Sequence, residues 1–164
     1  MPAKWKNEPQ KGAEELAEIR ELITKLRKVA PVLEEFLGID GKRRDYLLLF
    51  QNEMEIRATG GFIGSYGVIS FQDGKLLNLK VGDIYSIDGQ LKGHVEPPKQ
   101  IKEILGEASW YMRDSNWQAN FVASAKDIKW FFKKEAGRDV DGVVGINLAV
   151  AKEILSVTGE VYVP

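Results

Sequence analysis

Two arginines in this sequence stand beside residues that let a ligand come close. Arg57 opens RATGGFIGSYGVISF, in which Gly60, Gly61, Gly64 and Gly67 run into a β-rich segment. Glycine weakens a strand, since it packs nothing and loses the most backbone entropy on folding. Four of them there imply either a bend or bulge, or a ligand approaching bare backbone beside Gly60, Gly61, Gly64 and Ser65. An arginine at the mouth of such a stretch can anchor a phosphate or carboxylate through its fork of donors. The known phosphate loops do not fit. No G-x-x-x-x-G-K-[ST] run exists, and the glycine spacing Gly61-x-x-Gly64-x-x-Gly67 leads into a strand rather than a helix N-terminus.

Arg113 lies in Trp110-Tyr-Met-Arg-Asp-Ser-Asn-Trp117, a polar core between aromatics with neither helical nor strand periodicity. One reading is an Arg–Asp pair that holds a loop. The other is a site in which Trp117 stacks on a sugar ring while Arg113 and Asn116 hold polar groups. On that reading Asp114 serves as general base or orients Arg113. Asp83 and Asp88 flank Tyr85 and are the candidate metal ligands, against the plainer reading of turn aspartates. His94, the single histidine, sits in a Gly/Pro-rich loop and reads as solvated.

Composition narrows the chemistry. The chain of 164 residues has 23 Lys+Arg against 24 Asp+Glu, a formal charge of −1, which gives no electrostatic reason for nucleic acid or an anionic membrane as partner. It has no cysteine, which excludes thiol catalysis, disulfides and zinc–thiolate sites. A content of 44% apolar and 29% charged residues describes a globular chain. The polar start MPAKWKNEPQKG contains no hydrophobic signal region, and the chain stops in the strand-like Glu160-Val-Tyr-Val-Pro164. We therefore expect a piece of a longer protein: a leader over 1–11, a helix over 12–38 and one α/β domain over 39–164.

The positioning elements follow from pattern. Leu16, Ile19, Ile23, Leu26, Ala30, Leu33 and Leu37 recur at alternating spacings of three and four, a seam of nearly heptad period. Leu22, Val29 and Phe36 widen it. This long amphipathic helix either packs on its own domain's sheet or serves as a stalk or self-association surface. Pro31 should kink it or split it after Val29, and Gly38 should end it. Asp45 to Phe50 is apolar enough for a central strand buried on both faces. Gln72-Asp-Gly-Lys75 is a hairpin turn between the glycine-rich strand and a returning one at Leu76–Val81. Residues 83–98 read as a loop. Pro98 to Leu105 predicts a short helix with Ile101, Ile104 and Leu105 inward, and Asn120 caps a helix that Gly137 stops. Asp141 to Ile146 predicts a buried strand, followed by a helix capped by Asn147 and a strand at Val161–Val163, the two strands parallel. The class is α/β, a mixed central sheet covered by helices.

Beyond these patterns, RDYLLLFQNEMEIRATGGFIGSYG, DIYSID, the RDSNW core and VDGVVGIN…LSVTGEVYVP closely resemble a bacterial family known as domain of unknown function 4012. The resemblance spans about residues 42–164. It implies an extracytoplasmic domain whose parent carries an N-terminal membrane anchor and a helical spacer. More distantly, the C-terminal segment and Asp45-Tyr-Leu-Leu-Leu look like LytR–CpsA–Psr proteins. Those enzymes transfer glycopolymers from a polyprenyl-pyrophosphate lipid to peptidoglycan beside a magnesium ion. That likeness implies a cell-envelope domain binding a phosphorylated lipid or wall glycan, with Arg57 and Arg113 as phosphate clamps. It also raises the prospect of glycopolymer phosphotransfer with magnesium. The family's Ile-Pro-Arg-Asp strand end is missing here, and its Gly-Gly-Val is Thr158-Gly-Glu160. The alternative is a non-catalytic envelope scaffold or protein-interaction domain whose polar residues are structural.

Overall fold

A computed structural model describes residues 8–159 of the chain. Among the described residues four strands, β1 (Arg44–Asn52), β2 (Phe62–Gln72), β3 (Lys75–Asp83) and β4 (Gly142–Asn147), form one sheet in the order β3-β2-β1-β4. The β1–β2 and β2–β3 pairs are antiparallel and the β1–β4 pair is parallel, so the sheet is mixed. The helices are α1 (Glu8–Phe36), α2 (Ile84–Asp88), α3 (Lys99–Leu105), α4 (Phe121–Ala136) and α5 (Leu148–Thr158). The architecture is α/β, as the pattern of elements predicts.

Residue period two assigns the sheet's faces. Leu47 and Leu49 of β1, both fully buried, share a face with Val68 of β2. Ile84 and Ile87 of α2, Met112, and Ile128, Phe131 and Phe132 of α4 close the core over them. Burying each such side chain gains about 1.5–3 kcal/mol relative to exposure. On the opposite face Leu48, Phe50 and Ile69 are only half-buried, and Leu79 and Val81 of the edge strand β3 are exposed. The expectation of a central strand buried on both faces is therefore corrected: β1 is fully buried on one face, while on the other Tyr46 is buried against Phe36 and Leu48 and Phe50 are half-covered. β4, expected buried, is likewise half-covered along its length.

Local signals act as their chemistry requires. Asp73 (φ 51°) and Gly74 (φ 72°) both adopt left-handed backbone, the pair of conformations that joins two twisted antiparallel strands in two residues. Asn120 accepts a hydrogen bond from the Ala123 amide at 3.2 Å, and Gly137 ends α4 in the left-handed region. Asn147 caps α5 in the same way. Residues 83–98 are not all loop, because Asp83 caps the five-residue α2. In α3 Ile101 is buried, but Ile104 is exposed rather than inward. The expected strand at Val161–Val163 lies outside the described residues.

α1 departs from the rest. It begins at Glu8, within the expected leader, and continues through Pro31 to Phe36, so the proline does not split it. Only its C-terminal end meets the sheet. Phe36 stacks on Tyr46 with ring centroids 4.1 Å apart and lies against Phe71. Gly74 N–H donates to Leu37 C=O at 3.1 Å, and Asp73 N–H to Gly38 C=O at 2.9 Å. Above that base Leu16, Ile19, Leu22, Ile23, Leu26, Val29 and Leu33 are all exposed. The reading in which this helix packs along its own sheet is not met.

Candidate functional site

The glycines of the opening stretch serve three different ends. Gly60 (φ 116°) and Gly61 (φ 130°) sit in backbone that side-chain-bearing residues rarely adopt. A Cβ on Gly61 would also strike the Asn52 carbonyl and the Glu53 amide. Gly64 is the extra residue of a β-bulge: Phe50 pairs with Ser65 and Gln51 with Ile63, leaving Gly64 without a partner on β1. Open space surrounds its missing Cβ. Gly67 lies beside the Phe50 ring, whose edge a Cβ at this position would meet at 3.3 Å. Ser65 sits in the β2 ladder between Phe50 and Asp83, half-buried.

The chain between β1 and β2 brings Arg57 to the 3-10 turn at Met112–Asp114. Arg57 Nη2 donates to Asp114 Oδ1 at 3.3 Å, and its guanidinium lies 5.4 Å from the Phe62 ring centroid. Arg113 Nε faces the other Asp114 oxygen at 3.3 Å. The two arginines, 56 residues apart in sequence, thus share one carboxylate. Arg113 also donates to Asp88 at 3.0 Å and to Glu107 at 3.2 Å, between the rings of Tyr111 (4.3 Å) and Tyr85 (5.6 Å). A planar guanidinium suits this combination of forked ion pairs and ring faces.

Asn116 and Gly61 tie the two stretches together. Asn116 Nδ2 donates to Gly61 C=O at 2.7 Å, Gln51 Nε2 donates to the same carbonyl at 3.4 Å, and Thr59 Oγ1 donates to Asn116 C=O at 3.4 Å. Asn116 is fully buried, and Trp117 beside it is half-buried. The structure therefore brings together Arg57, Gly61, Arg113, Asp114 and Asn116. Asp83 and Asp88 stand at opposite ends of α2. The first caps the helix, accepting from Ser86 N–H at 2.9 Å; the second accepts from Arg113 and from Met112 N–H at 3.1 Å.

Burial dominates the electrostatics. It raises Asp88 to about 6 despite the hydrogen bond and charge of Arg113, and it raises Asp114 despite both arginines. Glu135 of α4 adds a third buried carboxyl, pushed up to about 8 by burial and then by the negative charge of Asp88. Neither Glu135 oxygen meets a hydrogen-bond donor among the described residues, and the side chain is 8% exposed. Sequence reasoning missed Glu135, yet a signal exists. Ser124, Ile128, Phe131 and Glu135 fall at helical spacing on the buried stripe of α4.

Magnesium is implied only by the distant resemblance, and the two candidate ligands are engaged elsewhere, Asp83 in capping α2 and Asp88 with Arg113. Among the described residues no group of three His, Asp or Glu side chains could hold a metal ion, and the carboxylates nearest the arginines already carry them as counterions. His94 is exposed and paired with Glu96 at 3.0 Å. No helix of the described residues is long and apolar enough to cross a membrane.

A search of curated proteins found no match to this chain, and neither did a search of solved structures. Residues 40–164 match the family described as "Protein of unknown function (DUF4012)", and the chain belongs to that family.

Proposed function

We propose that this chain is a non-catalytic scaffold or protein-interaction domain of the bacterial cell envelope, and that its arginine network is a structural pin. One observation carries this reading: both guanidinium groups are already charge-matched inside the fold. Arg57 and Arg113 face Asp88, Glu107 and Asp114, so the cluster offers no surplus positive charge to an incoming phosphate. A phosphate would have to displace carboxylates from buried arginines, which forfeits charge-assisted hydrogen bonds and leaves those carboxylates unpaired. The glycines then serve the backbone, Gly61 for close passage beside β1 and Gly64 for the bulge. The extracytoplasmic setting and the anchored parent come from the family likeness alone. The LytR–CpsA–Psr likeness rests on the C-terminal segment and Asp45-Tyr-Leu-Leu-Leu alone.

A second reading, binding of a phosphorylated lipid or wall glycan by Arg57, Arg113 and Asn116, keeps one observation in its favour. Arg57 Nε and Asn116 Oδ1 are buried without hydrogen-bond partners among the described residues, and both belong to the cluster. Calorimetric titration with a polyprenyl-pyrophosphate analogue, with and without magnesium, separates the two. The scaffold reading expects no saturable heat. Saturable binding that Arg113→Ala abolishes in a still-folded protein would replace it with the ligand reading.

A further inference from the structure

The seam of α1 has no partner in the described fold. Leu16, Ile19, Ile23, Leu26 and Leu33 are each about half to two-thirds exposed, along a helix of 29 residues whose base is fixed to the domain. Water does not favour such a stripe, and its nearly heptad spacing suits packing against another helix. We propose that α1 pairs in parallel with α1 of a second copy of this chain, giving a two-stranded coiled coil that projects from two domains.

Charge placement across the seam is self-complementary in a parallel pair of two copies. With Leu16, Ile23 and Ala30 at the first core position of the heptad and Ile19, Leu26 and Leu33 at the second, Arg20, Arg27 and Glu34 flank the seam on one side and Glu15, Leu22 and Val29 on the other. In a parallel pair a flanking residue meets the one five places later on the other helix, so Glu15 faces the partner's Arg20. Two-fold symmetry repeats that contact. An antiparallel pair that sets Leu16 against the partner's Leu33 brings Arg20 against the partner's Arg27 instead, twice. Glu21 and Lys25, on the outer side, satisfy each other within one helix at 2.7 Å and make no demand on the seam. This association is independent of whether the arginine network takes a ligand, since the two involve different residues.

Sedimentation equilibrium of the full chain tests the pairing, and the absence of native cysteine allows a test of orientation. The expected result is a dimer mass that falls to the monomer in Ile23→Glu/Leu26→Glu, with the domain's melting transition retained. In an Ile19→Cys variant, oxidation should link the two copies, because a parallel pair sets each introduced thiol against its twin. A monomer at every concentration would overturn the proposal, as would a dimer that survives the double substitution. A dimer that fails to cross-link through position 19 would overturn the parallel arrangement, and a trimeric or larger mass would overturn the two-stranded form.

Discussion

The arginine network and α1 invert the usual distribution of side chains in opposite directions. At the network, charged groups are buried and neutralise one another: Arg57, Arg113, Asp88 and Asp114 are all shielded from water. Along α1 above Phe36, apolar groups from Leu16 to Leu33 are exposed among the described residues. Buried charges contribute little net stability when paired but cost a great deal when one partner is removed. Exposed apolar groups cost little to replace until something covers them. Equal numbers of substitutions in the two regions should therefore have very unequal effects on the folded monomer.

Asp114→Ala should have the largest effect, because it leaves two largely shielded guanidinium groups short of one counterion. We expect a loss of about 3–5 kcal/mol, read from urea denaturation. A loss below about 1 kcal/mol would mean that the network relaxes into water and is not a pin.

Gly61→Ala comes next. Its positive φ and the blocked Cβ position predict a loss of about 1–3 kcal/mol. Gly64→Ala, which adds a methyl to open space at a bulge, should stay within about 0.5 kcal/mol of the parent. Equal effects at the two positions would show that the glycines do not divide into a backbone-strained and a merely bulged one.

The pH dependence sharpens the buried side of the comparison. Glu135 is raised from an ordinary 4.5 to about 8, and Asp88 from 3.8 to about 6. A carboxyl with a raised folded pKa holds its proton more tightly in the folded state than in the unfolded chain. Stability from these two groups is thus greatest at the acid end and declines as pH rises, through roughly 4 to 6 for Asp88 and 4.5 to 8 for Glu135. Melting temperature followed across that range should fall in the parent and fall less in Glu135→Gln. Identical profiles in the two proteins would remove Glu135 from the account.

The smallest effect on the monomer belongs to the exposed side. Ile23→Glu/Leu26→Glu should leave the domain's unfolding within about 0.5 kcal/mol once both proteins are compared as monomers. A larger loss would place the seam in contact with the domain.

How much of this was legible in the sequence depended on the range of the interaction. The hairpin at Asp73–Gly74, the caps at Asn120 and Asn147 and the left-handed ends at Gly106 and Gly137 are local, and their residues state them outright. The half-covered sheet face was not legible, because Leu48 and Phe50 read as core until the sheet's neighbours are known. α2 was hidden because five residues are too few to show a helical period. At the site, Arg57 and Arg113 were expected to act together and an Arg–Asp pair holding the Arg113 loop was one of two open readings, but Asp114 as a counterion shared with Arg57 was not foreseen. Glu135 escaped notice because its charge argued for solvent while its place in the stripe argued for the core. Only packing decides between those.

The central claim, that the arginines belong to carboxylates within the fold, is tested most directly by a double-mutant cycle on Arg57 and Asp114. Urea unfolding of the parent, Arg57→Ala, Asp114→Asn and the double variant gives the coupling energy between the two side chains. The account predicts that the double variant loses less than the two single losses added together, by about 0.5–3 kcal/mol. Strictly additive losses would contradict it, leaving Arg57 beside Asp114 without belonging to it.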